Sequence, residues 1–403
     1  MIFNGERELA YTVEITDVKK HPNADRLDIV VVNGWNVISG RDEFKKGEIA
    51  VFFEIDSKLP EVKPFTDMEF LASKHYKISS QRIRGVISQG LVVPVRDLVE
   101  YFNVKENIES GVPLTKTIGV TYAVAEDNAR KGNGKNKNAK YTSMSARHKK
   151  LFSKKPFRWL MRREWGRKLL FVFFGKKKDT PLGFPTKFEF VHKTDEERCE
   201  NMPWILQNKD PWIKTTKIDG TSATYILERK KFGKFEFYVT SRNVRQRTPD
   251  QKNYHSSDTE TNVYWDMAYK YYIKDFLKDL LVKHKNWKYV CLQGEIAGKN
   301  IQGNPHKFDD VRFFGFNLID SENGRWNSVK AATMCDKYEI PWVPIVDDNY
   351  ILPDDFEEFK LSADGQCEAP GSSGLREGYV YRSQDGELSF KNVSREYCIS
   401  RGL

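Results

Sequence analysis

Apolar residues fall into two regimes along this chain. In residues 1–120 they form short runs, Ile29 to Val32, Ala50 to Ile55 and Gly90 to Val93, separated by Gly, Asp, Pro and Asn. Several short strands at that spacing predict a small β-barrel. In residues 186–403 the runs Tyr289 to Leu292, Val311 to Leu318 and Tyr379 to Tyr381 read as further strands. Between them, Asn262 to Trp287 places Trp265, Ala268, Tyr272, Phe276 and Leu280 at helical spacing, which predicts one amphipathic core-facing helix. Thr194 followed by Glu197 reads as a capping box at a solvated helix start. The expected fold class is α+β: a β-rich domain over 1–120, a linker or insertion over 121–185, and a larger domain over 186–403.

Charge alters the picture of the middle segment. The chain of 403 residues has a formal net charge of +10. Residues 130–178 hold 18 Lys and Arg against one acid, Glu164, so the rest is net acidic. A local cationic stretch suits a polyanion, because neutralising phosphates releases counterions; the plainer reading is a solvated linker. Gly132 to Asn138 is low-complexity and polar, and reads as mobile. Phe157, Trp159, Leu160 and Trp165 alternate with Arg158, Arg162, Arg163 and Arg167. That pattern gives a helix with an aromatic and a cationic face, for packing or for base stacking.

Five scattered cysteines without a C-x-x-C pair point to a reducing, intracellular compartment, here taken as cytoplasmic. The run Leu169 to Phe174 is far too short to span a bilayer, and no signal pattern opens the chain, so no membrane partner is expected. Scattered histidines show no zinc spacing.

The candidate chemistry begins at Lys217-Ile218-Asp219-Gly220-Thr221-Ser222. A lysine can be a nucleophile if its ammonium loses its proton near neutral pH. K-x-D-G alone is a weak signal. Four companions follow in order: Ser241-Arg242-Asn243, Gln293-Gly294-Glu295, Glu377-Gly378-Tyr379-Val380-Tyr381-Arg382 and Ser389-Phe390-Lys391.

That ordered set resembles the covalent nucleotidyltransferase superfamily, and within it the ATP-dependent RNA ligases. The segments His21 to Leu27, Phe53 to Pro60 and Ile83 to Leu91 resemble the N-terminal OB-like module of one RNA ligase branch, and Lys193 to Arg198 resembles the lead-in of the same branch. The resemblance implies an N-terminal OB-like β-barrel followed by an adenylyltransferase domain, an ATP-grasp-like ligase domain of antiparallel sheets with helices. Lys217 would attack the α-phosphate of ATP and retain AMP, with nearby cations or a bound metal lowering its pKa. Gly220 would let the backbone approach the nucleotide. Arg242 would contact the ribose side, and Glu295 a ribose hydroxyl or metal-bound water. Phe316 would stack on adenine, with Phe314 as rival. Asp219, Glu295 and Glu377 would serve Mg²⁺ or Mn²⁺, and Lys391 would neutralise the α-phosphate.

Two departures stand out. Thr216 occupies the place where many relatives have a glutamate that reads the adenine amino group, and Ser389 replaces the first lysine of a K-x-K pair. The implied activity is self-adenylation, transfer of AMP to an RNA 5′-phosphate and joining to a 3′-hydroxyl, in nick or break repair, by a chain acting as a monomer. A DNA ligase or capping guanylyltransferase is the alternative. Only twelve residues follow Lys391, too few for the C-terminal OB module usual there. A non-catalytic RNA-binding protein is the third reading.

Overall fold

A computed structural model describes residues 1–3, 6–123, 195–250 and 262–403, and the backbone of 141–144, 175–177 and 182–183. The first domain is built on β1 (Ala10–Lys20), β2 (Leu27–Val32), β3 (Trp35–Gly40), β4 (Ile49–Phe53) and β5 (Leu91–Pro94), in the sheet order β5-β4-β1-β2-β3. All pairs are antiparallel, and β1 bulges between Ile15 and Asp17, which lets one long strand serve both halves of the curled sheet. Its alternating side chains feed two cores, one with Ala10, Val51, Phe53 and Phe65, the other with Tyr11, Val13, Trp35 and Phe52.

The second domain has two sheets. One runs β9-β8-β10-β11 through Phe235–Ser241, Thr221–Arg229, Tyr289–Ala297 and Arg312–Asp320. The other runs β6-β14-β13-β7-β12 through Glu197–Arg198, Ser389–Val393, Gly378–Ser383, Trp212–Lys217 and Ile345–Tyr350. Helices α1 (Val263–Lys270), α2 (Ile273–Lys283) and α3 (Ser328–Asp336) cover the first sheet. They bury Trp265, Phe276, Leu277 and Leu280 against Tyr225, Leu227, Leu292 and Leu318. Truncating a ring such as Phe276 to alanine costs about 3–5 kcal/mol.

Two expectations need correction. The single helix predicted over 262–287 is two, because Tyr272 adopts a left-handed conformation (φ 47°, ψ 36°) and stays largely exposed instead of facing the core. Asn262 caps the first of them, its side chain accepting from the backbone of Tyr264 and Trp265. Glu197 opens no helix: Glu197–Arg198 is a short strand, parallel to Phe390–Lys391, because the sheet edge there takes up its backbone groups. Thr194 lies outside the described residues.

The two domains meet through buried polar contacts. The Tyr11 hydroxyl lies 2.9 Å from Glu54 Oε1 and 3.1 Å from Asn201 Oδ1. Asn201 donates to both Glu54 and Glu197 at 2.8 Å, and the Trp35 indole donates to Asn201 at 2.7 Å. Val393 and Cys398 add apolar contact to the first domain's core.

Residues 126–183 form a separate unit. Within it Tyr141–Met144 pairs with Gly175–Lys177; the predicted aromatic and cationic helix over 157–167 lies outside the described residues. No described helix is long and apolar enough to cross a membrane. All five cysteines are buried free thiols.

Candidate active site

Lys217 ends β7, and the chain then crosses in three residues to β8 of the other sheet. The nucleophile candidate therefore stands where the two sheets diverge. The crossing is tight: a Cβ on Gly220 would lie 2.2 Å from the Ile296 carbonyl oxygen. Glycine is required there by the approach of β10, a different reason from the nucleotide contact expected of it.

Strand register brings the remaining motifs to the same place. Lys217 pairs with Gly378, beside Glu377, while Ser222 of β8 pairs with Glu295 of β10. Ile213 pairs with Arg382, and Val380 of β13 pairs with Lys391 of β14. Opposed residues share a sheet face, so Lys217, Arg382 and Lys391 project together.

Three carboxyl groups act on the amine, those of Glu377, Glu295 and Asp219. Lys217 Nζ lies 2.6 Å from Glu377 Oε1. Burial disfavours the Lys217 ammonium more than any single neighbour favours it, yet Glu377, Glu295 and Asp219 together hold its pKa above the ordinary lysine value. The expected lowering is thus not provided by the protein's own cations. Burial, opposed by Lys217 and reinforced by Glu377, pushes the Glu295 carboxyl up to about 8. Burial and the Glu377 charge raise Asp219 to about 6, against a hydrogen bond from the Tyr397 hydroxyl at 2.5 Å. The backbone N–H of Asp219 donates to His306 Nε2 at 2.8 Å, and burial depresses the pKa of that imidazole. Glu377 Oε2 is buried with no hydrogen-bond partner.

A second cluster lies on the same face. Asp195 bridges Lys391 Nζ (3.0 Å) and Arg242 Nη2 (3.1 Å). Burial and Arg7 lower the Lys391 pKa to about 8 although Asp195 opposes them. The surrounding cations hold Asp195 well below the usual carboxylate range, despite its burial. Glu196 bonds Ser389 and approaches Arg382 Nη2 at 3.4 Å.

Phe316 sits in a bulge of β11, between the pairs Gln293–Asn317 and Gly294–Gly315, so the simple alternation expected to put it on the face of Phe314 is broken there. Phe314 is buried against Phe308, whereas Phe316 is half-buried with the Arg382 guanidinium 6.0 Å from its ring centre. Thr216 stands apart. Its side chain takes the strand face opposite Lys217, and its hydroxyl donates to Glu368 Oε2 at 2.9 Å. A hollow of about 390 Å³ on the first domain, lined by Leu27, Ile38, Met68 and Phe70, contains none of these residues.

Residues 9–95 match an OB-fold domain model, and residues 210–395 match the RNA ligase model. Residues 210–395 thus carry an RNA ligase domain, behind an OB-fold domain at residues 9–95. An RNA ligase of Naegleria gruberi, solved as a variant with AMP and Mn, is 25% identical over 97% of this chain and 98% of that chain, with a TM-score of 0.70. Another variant of it, with ATP and Mn, gives 25% identity, the same coverage and a TM-score of 0.69. Its pyrophosphate-bound structure gives 24% identity over 97% and 98% of the two chains, with a TM-score of 0.70. A search of curated proteins finds no match.

In this RNA ligase Asp195, Glu196, Arg382, His306 and Tyr397 join the site alongside the residues expected there. Asp195 and Glu196 stood inside the acidic lead-in, and Arg382 inside the fourth motif. His306 and Tyr397 carried no sequence signal.

Proposed function

We propose that this RNA ligase adenylates itself at Lys217 with ATP, passes AMP to an RNA 5′-phosphate, and seals that end to a 3′-hydroxyl in nick or break repair. The observation that carries the reading is the placement of Lys217 at the sheet crossover, with Asp219, Glu295 and Glu377 on one side and Lys391 and Arg382 on its own strand face. The AMP, ATP and manganese bound by the similar Naegleria ligase support it.

The residues present fit a divalent cation. Three clustered carboxylates have hard oxygen donors, two with raised pKa values and one with a buried unpartnered oxygen. No group of three or more His, Cys, Asp or Glu side chains close enough to hold a metal ion is found among the described residues. Asp219, Glu295 and Glu377 would hold Mg²⁺ or Mn²⁺, which would supply positive charge that favours the neutral amine and offsets the triphosphate.

The chain's own groups do the rest. Glu377, 2.6 Å from Lys217, holds the amine in place as an ammonium, which would give up its proton to water once divalent charge enters the site. The freed amine attacks the α-phosphorus, the N–P bond forms, and the bond to the bridging oxygen breaks with pyrophosphate taking the electron pair. Lys391 faces the charge that builds on the non-bridging oxygens. It exchanges Asp195 for phosphate, as does Arg242, which then serves the ribose side. The open face of Phe316 stacks on adenine. Thr216 and its partner Glu368 lie on the opposite strand face and take no part in these steps. An RNA 5′-phosphate oxygen next displaces Lys217 from the adenylate. The 3′-hydroxyl then attacks the activated 5′-phosphate and AMP leaves.

Incubation with α-³²P-labelled ATP and Mg²⁺ or Mn²⁺ is expected to label the protein through an acid-labile bond, with Lys217→Ala unlabelled. Labelling from GTP in preference to ATP would favour a capping guanylyltransferase. Matched nicked duplexes with RNA or DNA at the 3′-hydroxyl side test the nick-repair assignment; equal sealing of both would remove the RNA requirement.

A further inference from the structure

Strands β8 and β9 pair in unbroken register from Ala223–Ser241 to Arg229–Phe235. Their connection closes with the Lys230 N–H donating to the Lys234 carbonyl at 2.7 Å. At the apex Phe232 is 96% exposed and sits in the left-handed region (φ 61°, ψ 30°). A turn needs neither feature. Glycine or asparagine takes that conformation without strain, and a phenyl ring gains nothing from standing in water. A strained residue held in place by its surroundings points to use of its side chain.

The surroundings do hold it. Lys230 bonds Glu228 and reaches Glu236 at 3.0 Å. The Tyr238 hydroxyl donates to Glu228 at 2.9 Å. Arg229 donates to the Trp287 carbonyl at 3.1 Å and lies 5.3 Å from the Phe235 ring centre. The base of the hairpin is thereby fixed to the helical layer, and the apex projects from it. Lys231 and Lys234, both exposed, flank the ring.

An isolated aromatic face between two ammonium groups matches one partner chemistry: an unpaired or end-stacked nucleobase with phosphates on either side. We infer that Phe232, Lys231 and Lys234 form a docking point for the flank of the RNA substrate, remote from the nucleotide cleft. The inference rests on the RNA-ligase reading and adds a contact that reading does not assign. Its reach is set by β8. That strand begins three residues beyond Lys217 and runs nine residues, Thr221–Arg229, to the hairpin. At strand rise the apex lies roughly 30 Å from the nucleophile, or on the order of nine nucleotides along one strand. The contact therefore serves long flanks and cannot serve short ones.

The test uses the full chain as wild type, Phe232→Ala and Phe232→Trp. The probes are 5′-phosphorylated RNAs with flanks of about 20 or about 5 nucleotides, on either side of the calculated reach. Phe232→Ala should bind the long RNA roughly tenfold more weakly, with Phe232→Trp close to wild type. Binding of the short RNA and labelling by ATP should not change. The double variant Lys231→Glu/Lys234→Glu should flatten the salt dependence for the long RNA alone. Undiminished affinity of Phe232→Ala for the long RNA overturns the inference, as does an equal loss for both lengths, which would mark a general effect on the fold. Absence of ATP labelling in the wild type would instead strike the ligation reading, while the length-dependent binding comparison still judges the hairpin.

Discussion

Gly220→Ala gives the sharpest structural prediction for the crossover. The new Cβ would lie 2.2 Å from the Ile296 carbonyl oxygen, 2.9 Å from its carbon and 3.1 Å from Glu295 Cγ. Carbon and oxygen sit comfortably at about 3.3 Å or more, so the crossover or β10 must shift by about 1 Å. Neither moves freely, because Ser222 is in register with Glu295 and the Asp219 N–H is bonded to His306. The displacement therefore falls on Lys217, Asp219 or Glu295. Overpacking of this kind costs about 1–3 kcal/mol of stability, so the melting temperature should drop by a few degrees. A reacting group misplaced by about 1 Å loses on the order of 10²-fold in rate, or about 2.7 kcal/mol of barrier. The assay is the single-turnover rate of AMP attachment to the enzyme at saturating ATP, alongside a thermal melt. A folded variant that reacts within about threefold of wild type, far inside that loss, would refute the claim that this contact positions the nucleophile.

Other predictions follow from particular contacts. Lys391 carries its charge below about pH 8 and loses it as pH rises through that value. The second-order rate of ATP capture should therefore fall above pH 8, and Asp195→Asn, which removes the opposing charge, should move that fall to lower pH; an unmoved limb would dissociate Lys391 from it. Tyr11→Phe leaves Glu54 and Asn201 short of a buried hydroxyl, so urea unfolding should show a loss of about 1–3 kcal/mol, and no loss would mean the interdomain network carries no stability. Deleting residues 130–178 should weaken RNA binding and flatten its salt dependence while self-adenylation persists; unchanged affinity would make the basic stretch a tether.

The parts of the fold that were legible in the sequence are those written in short range. Strands at Ile29 to Val32, Val311 to Leu318 and Tyr379 to Tyr381 show as apolar runs and appear at those places in the sheets. The ordered motifs were legible through their resemblance to a known family, and strand register delivers Glu377, Glu295 and Lys391 to Lys217. What was hidden depends on tertiary contact. Nothing local marks Tyr272 as a break, since neither Gly nor Pro stands there. Asp195 meets Lys391 across nearly 200 residues of chain, and Tyr397 reaches Asp219 from beyond the last motif. The protonation of Lys217 was also hidden. The sequence calls for a neutral amine, and the fold pairs it with a carboxylate that keeps its proton until other charges arrive.

Peptide mapping by mass spectrometry, after incubating the wild-type enzyme with ATP and Mg²⁺ or Mn²⁺, tests the central claim most directly. The account predicts an added mass of about 329 Da, one adenylyl group, on the peptide containing Lys217, stable at alkaline pH and lost in acid. An adduct on another residue, or none under conditions where RNA is nevertheless joined, would contradict it.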